Sequence, residues 1–253
     1  MGMKEAGADL FLNGGLLNGT RRIGAYWTAT LELSGRNYSD VGIALSGWRR
    51  IGSTGWYENS AAVNFPRPNA AWLAISHWAL KASNGATILL TDPIDSGGAS
   101  AGIGSPVAFQ SGALEVGFEG NVTAAGSVQG LVRGLLAGTR KLSVHSGNPS
   151  NPTHLRLGGA IDITASQFTN ATLAADATAG FPKRRAAENN VNLVFGISSV
   201  DHPRPVYVAI SDGAGSSNNI LWKDEFDDQV VDPVQYDVFT FGAKQLQIPI
   251  TVD

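Results

Sequence analysis

The sequence is built as a repeat. The heptad LLNGTRR fills residues 16–22, and the heptad LLAGTRK fills residues 135–141, which lie 119 positions later. A chain of 253 residues could form one large all-β domain or two domains, because a half of this length still buries a core of its own. The repeat favours two domains, and we predict one module at 1–120 and a second, diverged module at 121–253.

The ends of the two halves also match. The segment VAFQSGALEV (107–116) corresponds to DVFTFGAKQLQI (237–248), which pairs Phe109 with Phe239 at an offset of 130. Since the offset grows from 119 to 130 along the chain, the second copy carries eleven more residues. Insertions of this kind are tolerated in surface loops. We therefore predict two copies of one module whose loops differ in length.

A short helix is predicted before each module. Apolar residues in the segment 127–137 recur at helical spacing and form one face, made of Val128, Leu131, Val132, Leu135 and Leu136. Ser127 can cap the start of this helix, and Gly138 can end it in a left-handed conformation. The first copy carries a weaker form of the pattern, with Asp9 as its cap.

Beyond the helices, apolar and polar residues alternate, which is typical of half-buried strands. The alternation is clearest in KQLQIPITVD (244–253), where Leu246 and Ile248 share one face. Pro249 has no backbone donor, so this strand should lie at a sheet edge or turn its proline outward. Further strands are predicted at 29–34, 41–48, 73–82, 86–91, 113–118, 154–163 and 206–211. Short strands between Gly, Pro, Asn and Ser predict a mainly β fold, with two tandem antiparallel β-sandwich modules of the jelly-roll or Ig-like kind.

Composition argues against several classes of function. Charged residues make up 15% of the chain, against roughly 25% in an average soluble domain, and the net charge is −3. The chain therefore offers no electrostatic attraction for nucleic acid or anionic lipid. It contains no cysteine, which excludes disulfides and thiolate chemistry. No signal peptide or transmembrane pattern is recognisable, so neither export nor membrane insertion is expected.

The motifs that could indicate catalysis or metal binding lack the context they require. GASAG (98–102) matches the nucleophile-elbow pattern around Ser100, but no apolar strand enters it and no helical pattern leaves it. The four histidines have no partner at metal-ligand spacing. The acidic run KDEFDD (223–228) lacks the spacing and the central glycine of an EF-hand loop. We expect no catalytic residue, no cofactor and no metal, and we interpret both motifs as loops.

Aromatic residues concentrate in the first half, which holds five of the six tryptophans. Trp72 and Trp78 would share a buried face if one strand spanned both. The candidate contact residues flank a predicted hairpin turn, and they are Trp48, Arg49, Arg50, Trp56 and Tyr57. Exposed rings beside arginines can stack on a sugar or fill a pocket of a protein partner. The alternative is that these rings pack the open end of the sandwich.

Several landmarks follow one another in the first half. A leucine pair and a threonine come first, and a stretch that begins with asparagine and ends in Phe-Pro follows them. Next come a tryptophan, a strand with the pattern His-x-Ala-Leu, a strand that contains Leu-Leu, and a last segment that begins with phenylalanine and ends in Gly-Ala-Leu. The residues are Leu16, Leu17, Thr20, Asn59, Phe65, Pro66, Trp72, His77, Ala79, Leu80, Leu89, Leu90, Phe109, Gly112, Ala113 and Leu114. Over about 10–118, this order resembles small virion proteins of tailed bacteriophages that are often described as tail-fibre-like. In the second half the likeness continues mainly in the helix, the YVAIS strand and the FGA ending.

The resemblance implies a structural component of a phage virion, with no catalytic residues to carry over. It implies assembly in the host bacterial cytoplasm, homo-oligomers in the particle, and other virion proteins of the tail, baseplate or capsid as partners. Association with the tail or fibre is the first expectation, and capsid decoration as a cement protein is the second. A carbohydrate-binding module that recognises host glycans is the alternative from another class. Members of the family usually have a single module, so the tandem is a departure.

Overall fold

The computed structural model describes residues 5–28, 30–52, 56–94, 99–117, 121–122, 126, 128–172, 185–197, 204–225 and 238–249. The fold is mainly β, and its sheets are antiparallel. Contacts divide the chain into two compact units: the early unit, Leu12–Gln129, and the late unit, Met1–Phe11 with Gly130–Asp253. The first eleven residues, which the sequence repeat places in the module 1–120, therefore group with the second half of the chain.

The early unit is built from thirteen described strands. They are β1 (Arg21–Thr28), β2 (Leu31–Glu32), β3 (Val41–Ile43), β4 (Trp48–Ile51), β5 (Trp56–Asn59), β6 (Val63–Phe65), β7 (Trp72–Ile75), β8 (His77–Lys81), β9 (Ile88–Pro93), β10 (Ala99–Ala101), β11 (Val107–Phe109), β12 (Glu115–Val116) and β13 (Asn121–Val122). The largest sheet has the order β13-β9-β8-β1-β2, with β3 also paired to β1. A second sheet has the order β12-β5-β4, and two ribbons pair β10 with β7 and β11 with β6.

The late unit repeats this arrangement over its described residues. Its strands are β14 (Thr139–His145), β15 (Ile161–Thr164), β16 (Phe168–Thr172), β17 (Arg185–Asn189), β18 (Leu193–Ile197), β19 (Tyr207–Ser211), β20 (Ile220–Glu225), β21 (Val238–Phe241) and β22 (Gln247–Pro249). The order β15-β14-β19-β20 matches β3-β1-β8-β9, and β16-β17-β22 matches β4-β5-β12. The ribbon of β18 and β21 matches that of β6 and β11.

The two predicted helices are present, and both are largely π-helical. Helix α1 (Glu5–Asp9) continues into the first π-helix (Leu10–Leu16), and the second π-helix spans Val128–Leu135. Single 3₁₀ turns occur at Leu45–Gly47 and Ala165–Gln167. Three residues of the predicted apolar face, Leu131, Leu135 and Leu136, are buried, and Val132 is half-buried. Ser127, the predicted cap of the second helix, lies outside the described residues. The predicted cap of the first helix is wrong, because Asp9 lies within the helix that begins by Glu5.

Both π-helices end in the same way. Arg21 donates from Nε to the carbonyl of Leu16 at 2.7 Å, and Arg140 donates from Nε to the carbonyl of Leu135 at 2.8 Å. These residues are 119 apart in each case, which is the offset of the heptads. Gly138 has a φ of +76°, so it supplies the left-handed conformation predicted for it. The repeated heptad therefore encodes a helix end and the arginine that binds its last carbonyl groups.

One buried asparagine braces the same turn in each unit. Asn59 donates from Nδ2 to the carbonyls of Ala61 and Gln110 at 2.8 and 2.7 Å, and its Oδ1 accepts from Leu114 N–H at 2.9 Å. The corresponding bonds of Asn189 join it to Val191, Gly242 and Leu246, each at 2.8 Å. Both asparagines have no exposed surface. Each brace holds three separate backbone segments together.

Strand pairing corrects the alignment of the two halves. Phe109 pairs with Val63, and Phe241 pairs with Leu193. Because Val63 and Leu193 are equivalent, Phe109 corresponds to Phe241 at an offset of 132, and the predicted match to Phe239 is wrong by two residues. The two residues that raise the offset from 130 to 132 lie in one turn, since six residues separate β8 from β9 whereas eight separate β19 from β20.

Other strand predictions hold in part. The segment 73–82 is broken at Ser76, so Trp72 and Trp78 stand in different sheets, although both are only 2% exposed and belong to the core. Of the predicted strand 154–163, only the last three residues belong to a strand, which spans Ile161–Thr164. Leu246 and Ile248 are buried and Pro249 lies on an edge strand, as the alternation predicts. Residues 250–253 lie outside the described part.

Candidate functional site

The five candidate contact residues lie on one hairpin, and the hairpin divides them between two faces. Strands β4 and β5 pair Arg50 with Tyr57 and Ile51 with Trp56. Side chains directly opposite each other in an antiparallel pair share a face, and the face alternates along each strand. Trp48, Arg50 and Tyr57 are therefore on one side of the sheet, whereas Arg49 and Trp56 are on the other.

The inner face of the hairpin belongs to the core. Trp48 is 6% exposed and Tyr57 is 7% exposed, so their rings present almost no surface to a ligand. This is the packing alternative that the sequence left open for these two residues. Arg50 lies between them in the alternation and is half-buried. The predicted cluster is thus not one continuous contact surface.

The outer face carries a charged row. Arg49 is exposed and donates from Nε to Oε1 of Glu58 at 2.5 Å. Glu58 in turn lies opposite Glu115 on the edge strand β12. Like charges on directly opposed residues repel, and the pairing with Arg49 offsets that repulsion. Arg49 is therefore engaged within its own sheet.

Trp56 borders a cavity of the early unit. It is half-buried, and a Cβ built at Gly117 would lie 2.5 Å from ring carbons of Trp56, so the ring rests directly on the Gly117 backbone. An aromatic ring over a glycine next to an edge strand stabilises that edge.

The cavity is a cleft of about 620 Å³ within the early unit. This volume falls in the range of roughly 300–1,000 Å³ that is usual for small-molecule sites. Its aromatic and polar side chains are Trp56, Trp78, Phe109, Asp92, Gln110 and Glu115. Among the described residues, the lining contains no lysine, arginine or histidine. Four of these six positions differ in the late unit, which has Ala186, Val208, Gly242 and Gln247 in place of Trp56, Trp78, Gln110 and Glu115.

A second polar site of the early unit is a buried ion cluster around Lys81. The Lys81 side chain is 4% exposed, and Nζ donates to both carboxylate oxygens of Glu32 at 2.6 and 2.7 Å. It also donates to Oδ2 of Asp40 at 3.0 Å. These bonds tie β8 to β2 and to the segment before β3. Glu32, Asp40 and Lys81 are far apart in sequence, so no local motif indicates the cluster.

Tyr38 completes the ion cluster. Its hydroxyl accepts from Ala25 N–H at 2.8 Å and lies 2.9 Å from an oxygen of Glu32 and 2.9 Å from an oxygen of Asp40. A phenol has one hydrogen, so the two carboxyl oxygens compete for it. Burial raises the pKa of Glu32, and its contact with Asp40 adds to the rise. Because the pKa of Asp40 is lowered instead, Glu32 is the first of these two carboxyl groups to take up a proton as the pH falls.

The pKa values of Asp40 and Lys81 both shift in the direction opposite to the one that burial alone would cause. Burial favours a higher pKa for Asp40, but the bonds from Glu32, Lys81 and Tyr38 outweigh it, and the pKa of Asp40 is lowered. Burial favours a lower pKa for Lys81, but its bonds to the two carboxyl groups outweigh it, and the pKa of Lys81 is raised. Lys81 and Asp40 therefore form an ion pair that resists neutralisation at either end of the pH scale.

The late unit has a different polar group at the same place. Leu33 N–H donates to the carbonyl of Ala25 and Leu157 N–H donates to that of Val144, which aligns the two sites. In this alignment, the late unit has His145 at the position of Tyr26, Arg156 at the position of Glu32 and Ser211 at the position of Lys81. His145 has no exposed surface; its Nδ1 lies 2.7 Å from the carbonyl of His154, and its Nε2 lies 2.9 Å from the hydroxyl of Ser143.

The serine of the GASAG motif does not occupy a nucleophile elbow. Ser100 is exposed within strand β10 and does not stand at a turn between a strand and a helix. Asp224 and Glu225 end β20, whereas the rest of the acidic run, like His202, lies outside the described residues. Across the ranges given above, no group of three or more His, Asp or Glu side chains is placed to hold a metal ion.

No helix in the described part of the chain has the length and apolar character needed to cross a bilayer. Comparisons with known protein families, with curated proteins and with solved structures find no match.

Proposed function

We propose that this chain is a non-enzymatic structural component of a tailed-phage virion, built from two tandem β-sandwich modules, that docks onto other virion proteins of the tail or fibre. The proposal starts from the order of landmarks in residues 10–118. Its structural support is an exposed, uncharged surface that suits burial against a neighbouring subunit.

This surface is the outer face of the ribbon formed by β18 and β21. Val194 is 52% exposed and Val238 is 48% exposed, and the neighbouring Gly196 and Thr240 are exposed as well. Neither strand contains a charged residue. Removing such a face from water costs little because no charge loses its hydration, whereas the apolar side chains gain from burial. The outer face of this ribbon is therefore the docking surface that we assign.

A variant with one charge on the docking surface tests the proposal. Val194→Asp should prevent incorporation into phage particles, because a carboxylate would be buried without a partner. Ser216→Asp is the matched control, since Ser216 is exposed in the turn between β19 and β20 of the same unit. Incorporation is measured by quantitative mass spectrometry of purified particles, after circular dichroism has shown that both variants fold.

Labelling the protein on intact particles locates it. Immunogold at the tail supports the tail or fibre assignment, and label on the head assigns the protein to capsid decoration instead. Absence of the unmodified chain from particles overturns the virion role altogether. Light scattering during size-exclusion chromatography then shows whether the purified chain self-associates in solution. This result distinguishes homo-oligomerisation from binding to a different virion protein.

A further inference from the structure

The cleft of the early unit combines one flat apolar wall with several hydroxyl-binding groups. Trp56 supplies an aromatic ring held in place by Gly117, and Phe109 lies on the same cleft. Trp78, which is 2% exposed, forms part of the floor. Large rigid rings give contact area at a small loss of side-chain entropy, so they are efficient binding surfaces.

The polar groups of the cleft suit a ligand that carries several hydroxyl groups. The carboxylates of Asp92 and Glu115 accept hydrogen bonds, and the amide of Gln110 both accepts and donates. Hydroxyl groups also do both. Since none of the described residues that line the cleft is cationic, none of them would neutralise a carboxylate or a phosphate on the ligand. These features disfavour uronic acids, sialic acids and nucleotides.

We propose that this cleft binds one neutral pyranose ring of a glycan. A pyranose has C–H faces that can lie on the Trp56 ring and hydroxyl groups around its rim that can reach Asp92, Gln110 and Glu115. This activity goes beyond the docking role proposed above and does not depend on it. The late unit lacks the two tryptophans and the second carboxylate, so the stoichiometry is one ring per chain.

Binding of methyl glycosides to the purified full-length chain tests the proposal. The probes are the methyl glycosides of glucose, galactose, mannose and N-acetylglucosamine, titrated by calorimetry and by ligand-observed NMR. One or more of them should bind with one site per chain. Trp56→Ala should weaken that binding by about tenfold, since stacking on an aromatic ring is worth roughly 1.4 kcal/mol.

A second pair of variants tests the sugar site at exposed residues, whose substitution should not unfold the protein. Glu115 is exposed, so Glu115→Ala should leave the fold intact and weaken glycoside binding several-fold. Gln247→Ala is the matched control, because Gln247 is exposed at the equivalent place in the late unit and should leave binding unchanged.

Three results would overturn the sugar site. The first is that none of the glycosides binds at millimolar concentration. The second is binding that both Trp56→Ala and Glu115→Ala leave unchanged. The third is that choline or Nα-acetyl-arginine amide binds at the cleft while the glycosides do not, which would assign the cleft to a cation held by the aromatic rings and carboxylates. Each is measured on the purified chain, so the result is distinct from the presence or position of the protein in particles.

Discussion

The ring of Phe11 lies against the backbone of Gly130, and these two residues occupy equivalent positions of the repeat, 119 apart. A Cβ at Gly130 would lie 2.3 Å from the Phe11 ring. Four residues earlier, a Cβ at Gly7 would lie 2.0 Å from the carbonyl oxygen of Leu221 on β20. The N-terminal segment therefore packs closely within the late unit, although its sequence belongs to the first repeat.

Gly7→Ala should destabilise the late unit by about 3 kcal/mol, since the new methyl group would collide with backbone that cannot move aside easily. We expect faster hydrogen exchange in β20, measured by mass spectrometry, with little change in β1, the first strand after the heptad. Gly196→Ala is the control, because Gly196 lies in the same unit with nothing within 4 Å of a Cβ. Faster exchange in β1 but not in β20 would contradict this packing.

The asparagine braces should be equivalent in the two units. Asn59→Ala removes three hydrogen bonds and leaves two carbonyls and one N–H group of the buried turn without their partner, so a loss of about 3 kcal/mol is expected in the early unit. Asn189→Ala should cause a similar loss in the late unit. Hydrogen exchange resolved by peptide assigns each loss to its unit. A loss confined to one variant would show that only one brace supports its unit.

The repeated heptad shows what sequence alone could predict. Its glycine ends a helix and its arginine binds the last carbonyls, both of which are local effects, so helix ends at Leu16 and Leu135 follow from the residues beside them. The unit that receives residues 5–11 could not be predicted. Two similar repeats offer two similar surfaces for one helix, and local periodicity does not distinguish them.

For the candidate site, too, local features were predictable from the sequence, whereas contacts between distant segments were not. Alternation around the predicted turn separates Trp48 from Arg49, but aromatic rings occur on both faces of the hairpin, so hydrophobicity does not tell which face is buried. Trp56 could be named as a candidate contact residue, whereas Asp92 and Phe109 come to the same cleft only through pairing between distant strands. The cluster of Glu32 and Lys81 was missed for the same reason, and a lysine that continues the apolar strand HWALK was the one signal for it.

Lys81→Met should cost the early unit about 3 kcal/mol, because it leaves Glu32 and Asp40 facing each other without their cation. Lys141→Met is the matched control. Lys141 forms an ion pair with Asp162 at 2.5 Å, but both side chains are substantially exposed, so a change below about 1 kcal/mol is expected. Denaturant unfolding followed by peptide-resolved exchange compares the two. Equal losses would mean that burial does not strengthen the Lys81 pairs.

His145 should make the late unit sensitive to acid. The carbonyl of His154 can only accept, so Nδ1 of neutral His145 carries the proton and Nε2 accepts from the Ser143 hydroxyl. Burial lowers the pKa of His145, and the bond to His154 opposes the shift without reversing it. The unfolded state therefore takes up a proton first as the pH falls. The contribution of His145 to stability is complete above its unfolded pKa of about 6.5 and is lost as the pH falls towards the lower folded value.

His145→Gln should reduce this dependence on pH, because glutamine does not titrate. Unfolding of the late unit, followed by hydrogen exchange at several values between about pH 7.5 and pH 5, should show a steeper loss of stability in the unmodified chain than in the variant. Nitrogen-15 NMR of the imidazole should show the proton on Nδ1 at neutral pH. An unchanged slope in His145→Gln would assign the acid sensitivity to other groups, and a proton on Nε2 would contradict the bond to His154.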